Sequence, residues 1–197
     1  MEYFLFQLDF SLSYLIWMIK EDCVVIQEIQ QGNYSAFEKL YNKYFQRIYA
    51  FVMIKSNGNI PLSQDVTSET FLKAFEKMDT FVCDETGSFS AWLYRIAYNS
   101  FIDAIKAKNP DMSVDDIQLV GEQIDYIDVI QKKSQAHLVM QFLETLGQDK
   151  KDIFLLRVWE DMNYTQISEI VGKSEQSCRQ DFSRTLKKVV EKFQNIF

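Results

Sequence analysis

The chain has 197 residues, a formal net charge of −7, and 47% hydrophobic and 15% aromatic content, enough apolar side chain for packed cores in one domain or two small ones. This excludes a disordered chain, and the acidic balance argues against indiscriminate nucleic-acid binding by the whole molecule, which goes with a basic surplus. Cys23, Cys83 and Cys178 are odd in number and far apart, which suggests neither a disulfide framework nor a zinc set and points to a reducing, cytoplasmic setting.

Residues 1–17 form an apolar N-terminal extension rich in Phe, Leu and Tyr and without a basic residue. They lack the positive start of a signal peptide and are too short and acidic to span a bilayer, so no stable membrane insertion is expected. Two readings stand: Met18 is the initiator, or residues 1–17 make an accessory apolar helix. All six glycines and both prolines fall between apolar-periodic segments, so the chain reads as nearly all helix. Ser35 to Lys55 carries Phe37, Leu40, Tyr41, Tyr44, Phe45, Ile48 and Phe51 or Val52 at helical steps. A second helix follows Pro61, capped by Ser63, with Val66, Phe71, Leu72, Phe75 and Met78 as its buried stripe. Helical spacing alone places Phe71, Leu72 and Phe75 in the core. A third runs from Ser88 or Ser90 to about Lys108 and buries Trp92, Leu93, Ile96, Ala97 and Ile105. From Asp111 to Asp128 there are acidic residues and no basic one, the pattern of a solvated linker. Helices follow at about Lys132 to Leu146 and Lys150 to Trp159. His137 stands alone among apolar residues and reads as packed or solvated, not as a metal ligand.

The stretch from Tyr164 to Lys192 reads as a helix-turn-helix. Two steeply crossed helices need a small residue at the crossing and a permissive one in the turn, and Ser168 and Gly172 supply them. Asn163 or Thr165 caps the first helix and Ser174 the second. Ile167, Ile170, Val171, Cys178 and Phe182 face inward. Gln176, Arg179, Gln180, Ser183, Arg184 and Lys187 face outward, and Arg and Gln suit base edges in the major groove. Lys187, Lys188 and Lys192 suit phosphate, which raises affinity without carrying sequence information.

Three phrases in order, "AFEKLYNKYFQRIYAFV" (Ala36 to Val52), "SQDVTSETFLKAFEKMDTF" (Ser63 to Phe81) and "SFSAWLYRIAYNSFIDAIKAK" (Ser88 to Lys108), are followed by "DIFLLRVWEDMNYTQISEIVGKSEQSCRQDFSRTLKKV" (Asp152 to Val189). Together they resemble the extracytoplasmic-function (ECF) group of bacterial sigma-70 family transcription initiation factors. The resemblance implies an all-α fold of two small helical domains, a region 2 bundle at 24–109 and a region 4 helix-turn-helix at 131–197, joined by an acidic linker at 110–130. It implies core RNA polymerase and promoter DNA as partners, with an anti-sigma factor as regulator.

The resemblance further implies the sites. Asp65, Glu69 and Leu72 on the second helix would meet the polymerase clamp. Tyr94, Arg95, Tyr98, Asn99, Lys106 and Lys108 on the third would hold the single-stranded minus-10 element, with Asn99 at the asparagine of the family's "RIAxN" motif and Thr80 to Ser88 as specificity loop. Stacking groups, an amide and positive charge suit exposed bases. Ser174, Gln176, Ser177, Arg179, Gln180, Arg184, Lys187 and Lys188 would read the minus-35 duplex. The linker would thread the RNA-exit path. Asp181 departs from the family pattern, since an acid on the reading helix either accepts from cytosine or repels phosphate. A stand-alone helix-turn-helix regulator is the alternative, but it leaves Ser88 to Asn99 unexplained. No nucleophile, base and orienter set and no phosphate-binding glycine loop is visible, so neither an enzyme, a cofactor nor a small-molecule substrate is expected.

Overall fold

The computed structural model describes residues 21–83, 88–108 and 135–194, and every regular element among them is helical. The N-terminal extension with Met18, the tip of the proposed specificity loop at 84–87, the acidic linker and the His137 side chain lie outside the described residues. Residues 21–30 form α1. A short 3-10 turn, Tyr34–Ala36, leads into α2 (Phe37–Lys55), followed by α3 (Ile60–Glu76), a 3-10 turn at Met78–Thr80 and α4 (Phe89–Lys108). The second half holds α5 (Gln135–Glu144), α6 (Gln148–Val158), α7 (Tyr164–Val171) and α8 (Glu175–Phe193).

The apolar spacing of α2 buries Leu40, Tyr44, Ile48, Phe51 and Val52 against α3 and α4. On α3 the cap is Asn59 and not Ser63: the Leu62 N–H donates to Asn59 Oδ1 at 3.0 Å. The reason is Pro61, which needs no hydrogen bond in the first turn and so lets the helix begin upstream of it. Ser63 is buried instead, with its hydroxyl on Asn59 O at 2.7 Å and Ser56 Oγ at 2.8 Å. α1 lies antiparallel to α2, with Asp22 bound to Lys43 (2.6 Å) and Tyr44, and Glu28 to Lys39 (3.2 Å).

The expectation of three unpaired cysteines does not hold. Cys23 on α1 is disulfide-bonded to Cys83 after the second 3-10 turn, across 60 residues of chain. Only the fold brings them together, and no local spacing announces the pair. Cys178 is free and fully buried.

In the second half, Leu143, Phe154, Val189 and Phe193 form a small core of α5, α6 and α8. The helix-turn-helix follows its predicted chemistry. Asn163 makes a reciprocal capping box with Gln166, Gly172 takes the left-handed conformation at φ 71°, and Ser174 accepts from Ser177 N–H. The two halves are not separate beads. Ile153, Leu156, Met162, Ile167, Ile170 and Cys178 join the core of α1 to α4, so one apolar cluster crosses both.

Candidate nucleic-acid interface

α8 presents the outward face that its periodicity predicts. Cys178, Thr185 and Val189 are buried, while Ser174, Gln176, Arg179, Gln180, Arg184, Lys187 and Lys188 are exposed and Ser177 is half-buried. The Arg179 guanidinium lies over the Tyr164 ring at 4.6 Å, so an aromatic residue of α7 orients it. Lys187 is within 3.8 Å of Glu191 one turn on. Asp181 is not on this face. Its carboxylate is 3.5 Å from Lys173 Nζ, which also meets Asp149 at 2.6 Å, so the acid ties the turn to the start of α6. Burial pulls the Lys173 ammonium downward, but the two carboxylates outweigh it and hold its pKa above the usual lysine value.

The α4 residues divide. Asn99, Lys106 and Lys108 are exposed, whereas Tyr94 and Tyr98 are buried. At the seam between the two halves, Tyr94 touches the second half through Glu160, and Tyr98 lies beside it through Lys55, whose partner is Asp152. Tyr94 packs edge-on to Phe51 at 5.1 Å beside Glu160, and Tyr98 lies under the Lys55 ammonium at 4.2 Å. Arg95 reaches across the seam to Glu169 of α7 at 3.0 Å. Helical periodicity identifies a buried face but not whether its own domain or a neighbour covers it.

Beside the apolar cluster, the seam carries further charged groups. Lys55 pairs with Asp152, both fully buried, and Arg47 pairs with Glu160. Lys151 is buried too, and its ammonium donates to Ile54 O at 3.1 Å and Asn57 Oδ1 at 3.4 Å. Burial lowers its pKa. Next to the ion pairs, a cavity of about 240 Å³ opens between α2 and α6, lined by Ala50, Phe51, Ile54, Leu155 and Trp159. Sequence reasoning missed Arg47, Glu160 and Glu169, because nothing in the local pattern separates a seam charge from a solvated one.

Burial first, then the Asp22 carboxylate, pushes the Tyr44 hydroxyl far above its ordinary value near 10; burial and Glu160 do the same to Tyr94. Above pH 10 the unfolded chain loses these protons while the fold keeps them, so stability present below pH 10 is lost as pH rises. Lys151 contributes the opposite slope below its ordinary value of 10.5. We expect unfolding in urea at pH 10.5 to 11.5 to show stability falling by about 2–3 kcal/mol per pH unit, and Tyr94→Phe to remove about half of that slope.

On α3, Asp65, Glu69 and Leu72 are all exposed and fall on one helical face, with Leu72 at 53% and Phe75 at 40% exposure. Phe71 is core, as its spacing predicts, but Leu72 and Phe75 are not. Phe75 instead meets Tyr34 and Phe37 edge-on at 5.9 and 5.1 Å, extending an apolar surface beside the acids. No cluster of His, Cys, Asp or Glu fit to hold a metal ion occurs among the described residues, and no described helix is long and apolar enough to cross a membrane.

Comparison with known proteins accounts for both halves. The family described as Sigma-70 region 2 matches residues 40–110, and that described as Sigma-70, region 4 matches residues 136–189. The chain is 26% identical to the ECF RNA polymerase sigma factor SigW of Bacillus subtilis (strain 168) over 158 residues, covering 75% of this chain and 83% of that one. It is 26% identical to the ECF RNA polymerase sigma-E factor of Haemophilus influenzae over 185 residues, covering 88% and 95%. Among solved structures, the fold is similar to the sigma factor RpoE of Bartonella quintana in complex with the anti-sigma factor NepR, with TM-score 0.58, 17% identity, and coverage of 79% and 94%. It is also similar to CnrH in complex with the cytosolic domain of CnrY, with TM-score 0.56, 19% identity, and coverage of 87% and 96%. With region 2 and region 4 matched in order on an all-helical fold, the chain belongs to the ECF group of the sigma-70 family and is an RNA polymerase sigma factor.

Proposed function

We propose that the protein acts in the cytoplasm, binds core RNA polymerase through the α3 face of Asp65, Glu69 and Leu72, and directs it to promoters through two DNA surfaces. α8 reads the minus-35 duplex with Gln176, Arg179, Gln180 and Arg184, while Ser174, Ser177, Lys187 and Lys188 hold the backbone. α4 receives the melted minus-10 strand, with Arg95, Asn99, Lys106 and Lys108 at the surface and Tyr94 and Tyr98 supplying stacking once the seam opens. The observation that carries this reading is the α8 face, a run of basic and amide side chains exposed opposite a buried stripe.

The closed seam bears on how the activity is controlled. Arg95 is paired with Glu169, and Tyr94 and Tyr98 are covered. A chain in this arrangement offers Asn99, Lys106 and Lys108 of its minus-10 surface but withholds Tyr94, Tyr98 and Arg95, so full engagement by polymerase and promoter has to part the two halves. An anti-sigma protein that clasps both halves would hold the surface shut; one structural neighbour, RpoE of Bartonella quintana, was solved in complex with the anti-sigma factor NepR.

Runoff transcription with bacterial core polymerase on a promoter library tests the reading. The expected result is starts that core alone does not make, lost in the Asp65→Lys/Glu69→Lys variant, which keeps the fold because both residues are exposed. If core plus protein starts nowhere new, while the protein alone binds duplex tightly and specifically, the sigma reading fails in favour of a stand-alone regulator.

A further inference from the structure

We propose that Cys23 and Cys83 form a reversible thiol–disulfide site whose co-reactant is a low-molecular-weight disulfide of the glutathione class. Both residues are half-buried beside Val24 and Val82, which are 56% and 70% exposed, and Cys83 packs on one side against the core, so the bridge lies at the protein surface, where a small thiol or disulfide approaches. Cys178 has no such access, and burial raises its pKa, which leaves it an inert thiol.

The surrounding fold does not depend on the bridge. Gln30 Nε2 of α1 donates to Met78 O and Phe81 O, both at 2.9 Å. The Phe81 ring is buried against Phe89 and Trp92 at 5.7 and 5.0 Å. These contacts hold the chain as far as Phe81 whether or not the sulfurs are joined. The disulfide adds one attachment beyond them, at Cys83, on the connection that leads to α4. The site therefore has two states that share a core and differ in whether that connection is fastened to α1.

The chemistry balances with the named co-reactant. One protein thiolate attacks glutathione disulfide, forming a mixed disulfide and expelling one glutathione thiolate. The second protein thiolate attacks the protein sulfur of that mixed disulfide and expels the other. Two protein thiols are oxidised, one glutathione disulfide is reduced, and the two protons end on two glutathione thiols.

The test uses the full chain equilibrated in mixtures from pure reduced to pure oxidised glutathione, quenched with acid, and labelled with a polyethylene-glycol maleimide after denaturation. The expected result is a switch from three labels to one as a single two-electron step within that range, absent in Cys83→Ser, which takes a single glutathione at Cys23. Amide exchange at 82–83 should slow about tenfold on oxidation, with α2 and α4 unchanged. A bridge that fails to form in pure oxidised glutathione, a bridge that persists in the most reducing mixture, or equal exchange in the two forms would overturn the proposal. Neither readout involves polymerase or DNA, so failure here leaves the sigma reading standing.

Discussion

Replacing Asp152 with alanine is expected to lower the stability of the full chain in urea unfolding by about 3–5 kcal/mol, a large fraction of what a chain of this size has to lose. The Lys55 ammonium is fully buried with Asp152 as its ion-pair partner, and removing the carboxylate strands that charge above the Tyr98 and Phe101 rings. The rings offer partial compensation, but a desolvated ammonium needs hydrogen-bond acceptors that they do not supply. The paired replacement Lys55→Met/Asp152→Leu should recover most of the loss, since an apolar pair carries no desolvation penalty. A loss below about 1 kcal/mol in Asp152→Ala would show that the pair is hydrated and the seam already open in solution.

The same pair has a functional side that the double variant exposes. Beside the apolar cluster that also joins the halves, the seam carries Lys55–Asp152, Arg47–Glu160 and Arg95–Glu169, and these groups lower the cost of parting because each ion regains water as the halves separate. Replacing the buried Lys55–Asp152 pair by apolar side chains adds to the surface that water disfavours when the halves part. The double variant should therefore be nearly as stable as the parent in urea yet slower to give runoff product with core polymerase. Equal rates would mean that seam opening does not limit assembly.

How far the molecule could be foreseen follows from the range of each interaction. Helix content, the Asn163 and Ser174 caps and the Gly172 turn were legible because each depends on residues within one or two turns. The outward face of α8 was legible for the same reason. What lay beyond reach was what contacts between separate elements decide, across the seam or within a half. The spacing of Tyr94 and Tyr98 is equally consistent with an open stacking surface and with a covered one. Leu72 and Phe75 continue the apolar stripe of Phe71 in sequence, but α3 rotates them to the rim, where the neighbouring helices no longer cover them. Asp181 looked anomalous only while its partner was unknown: Lys173, eight positions earlier, is brought beside it by the turn at Gly172. The Cys23–Cys83 pair joins residues that no periodicity relates.

Arg184→Ala is expected to weaken binding of the polymerase holoenzyme to the minus-35 duplex by about ten- to a hundredfold, and to relax preference at one base position, as loss of a bidentate guanine contact does. Lys188→Ala should behave differently although it lies one turn away on the same exposed helix. As a phosphate contact it lowers affinity evenly across sequences and reduces the salt slope by about 1. Arg179 provides an internal control, because its guanidinium is set by the Tyr164 ring 4.6 Å away. Tyr164→Ala leaves the charge in place but frees its direction, so it should reproduce the loss of base preference seen in Arg179→Ala while keeping the salt slope of the parent. A salt slope that falls in Tyr164→Ala, or a base preference that survives it, would mean that Arg179 meets the backbone and that the reading falls to Gln176, Gln180 and Arg184 alone. The comparison separates the two kinds of contact because they respond to different variables: base readout to sequence, and phosphate contact to ionic strength.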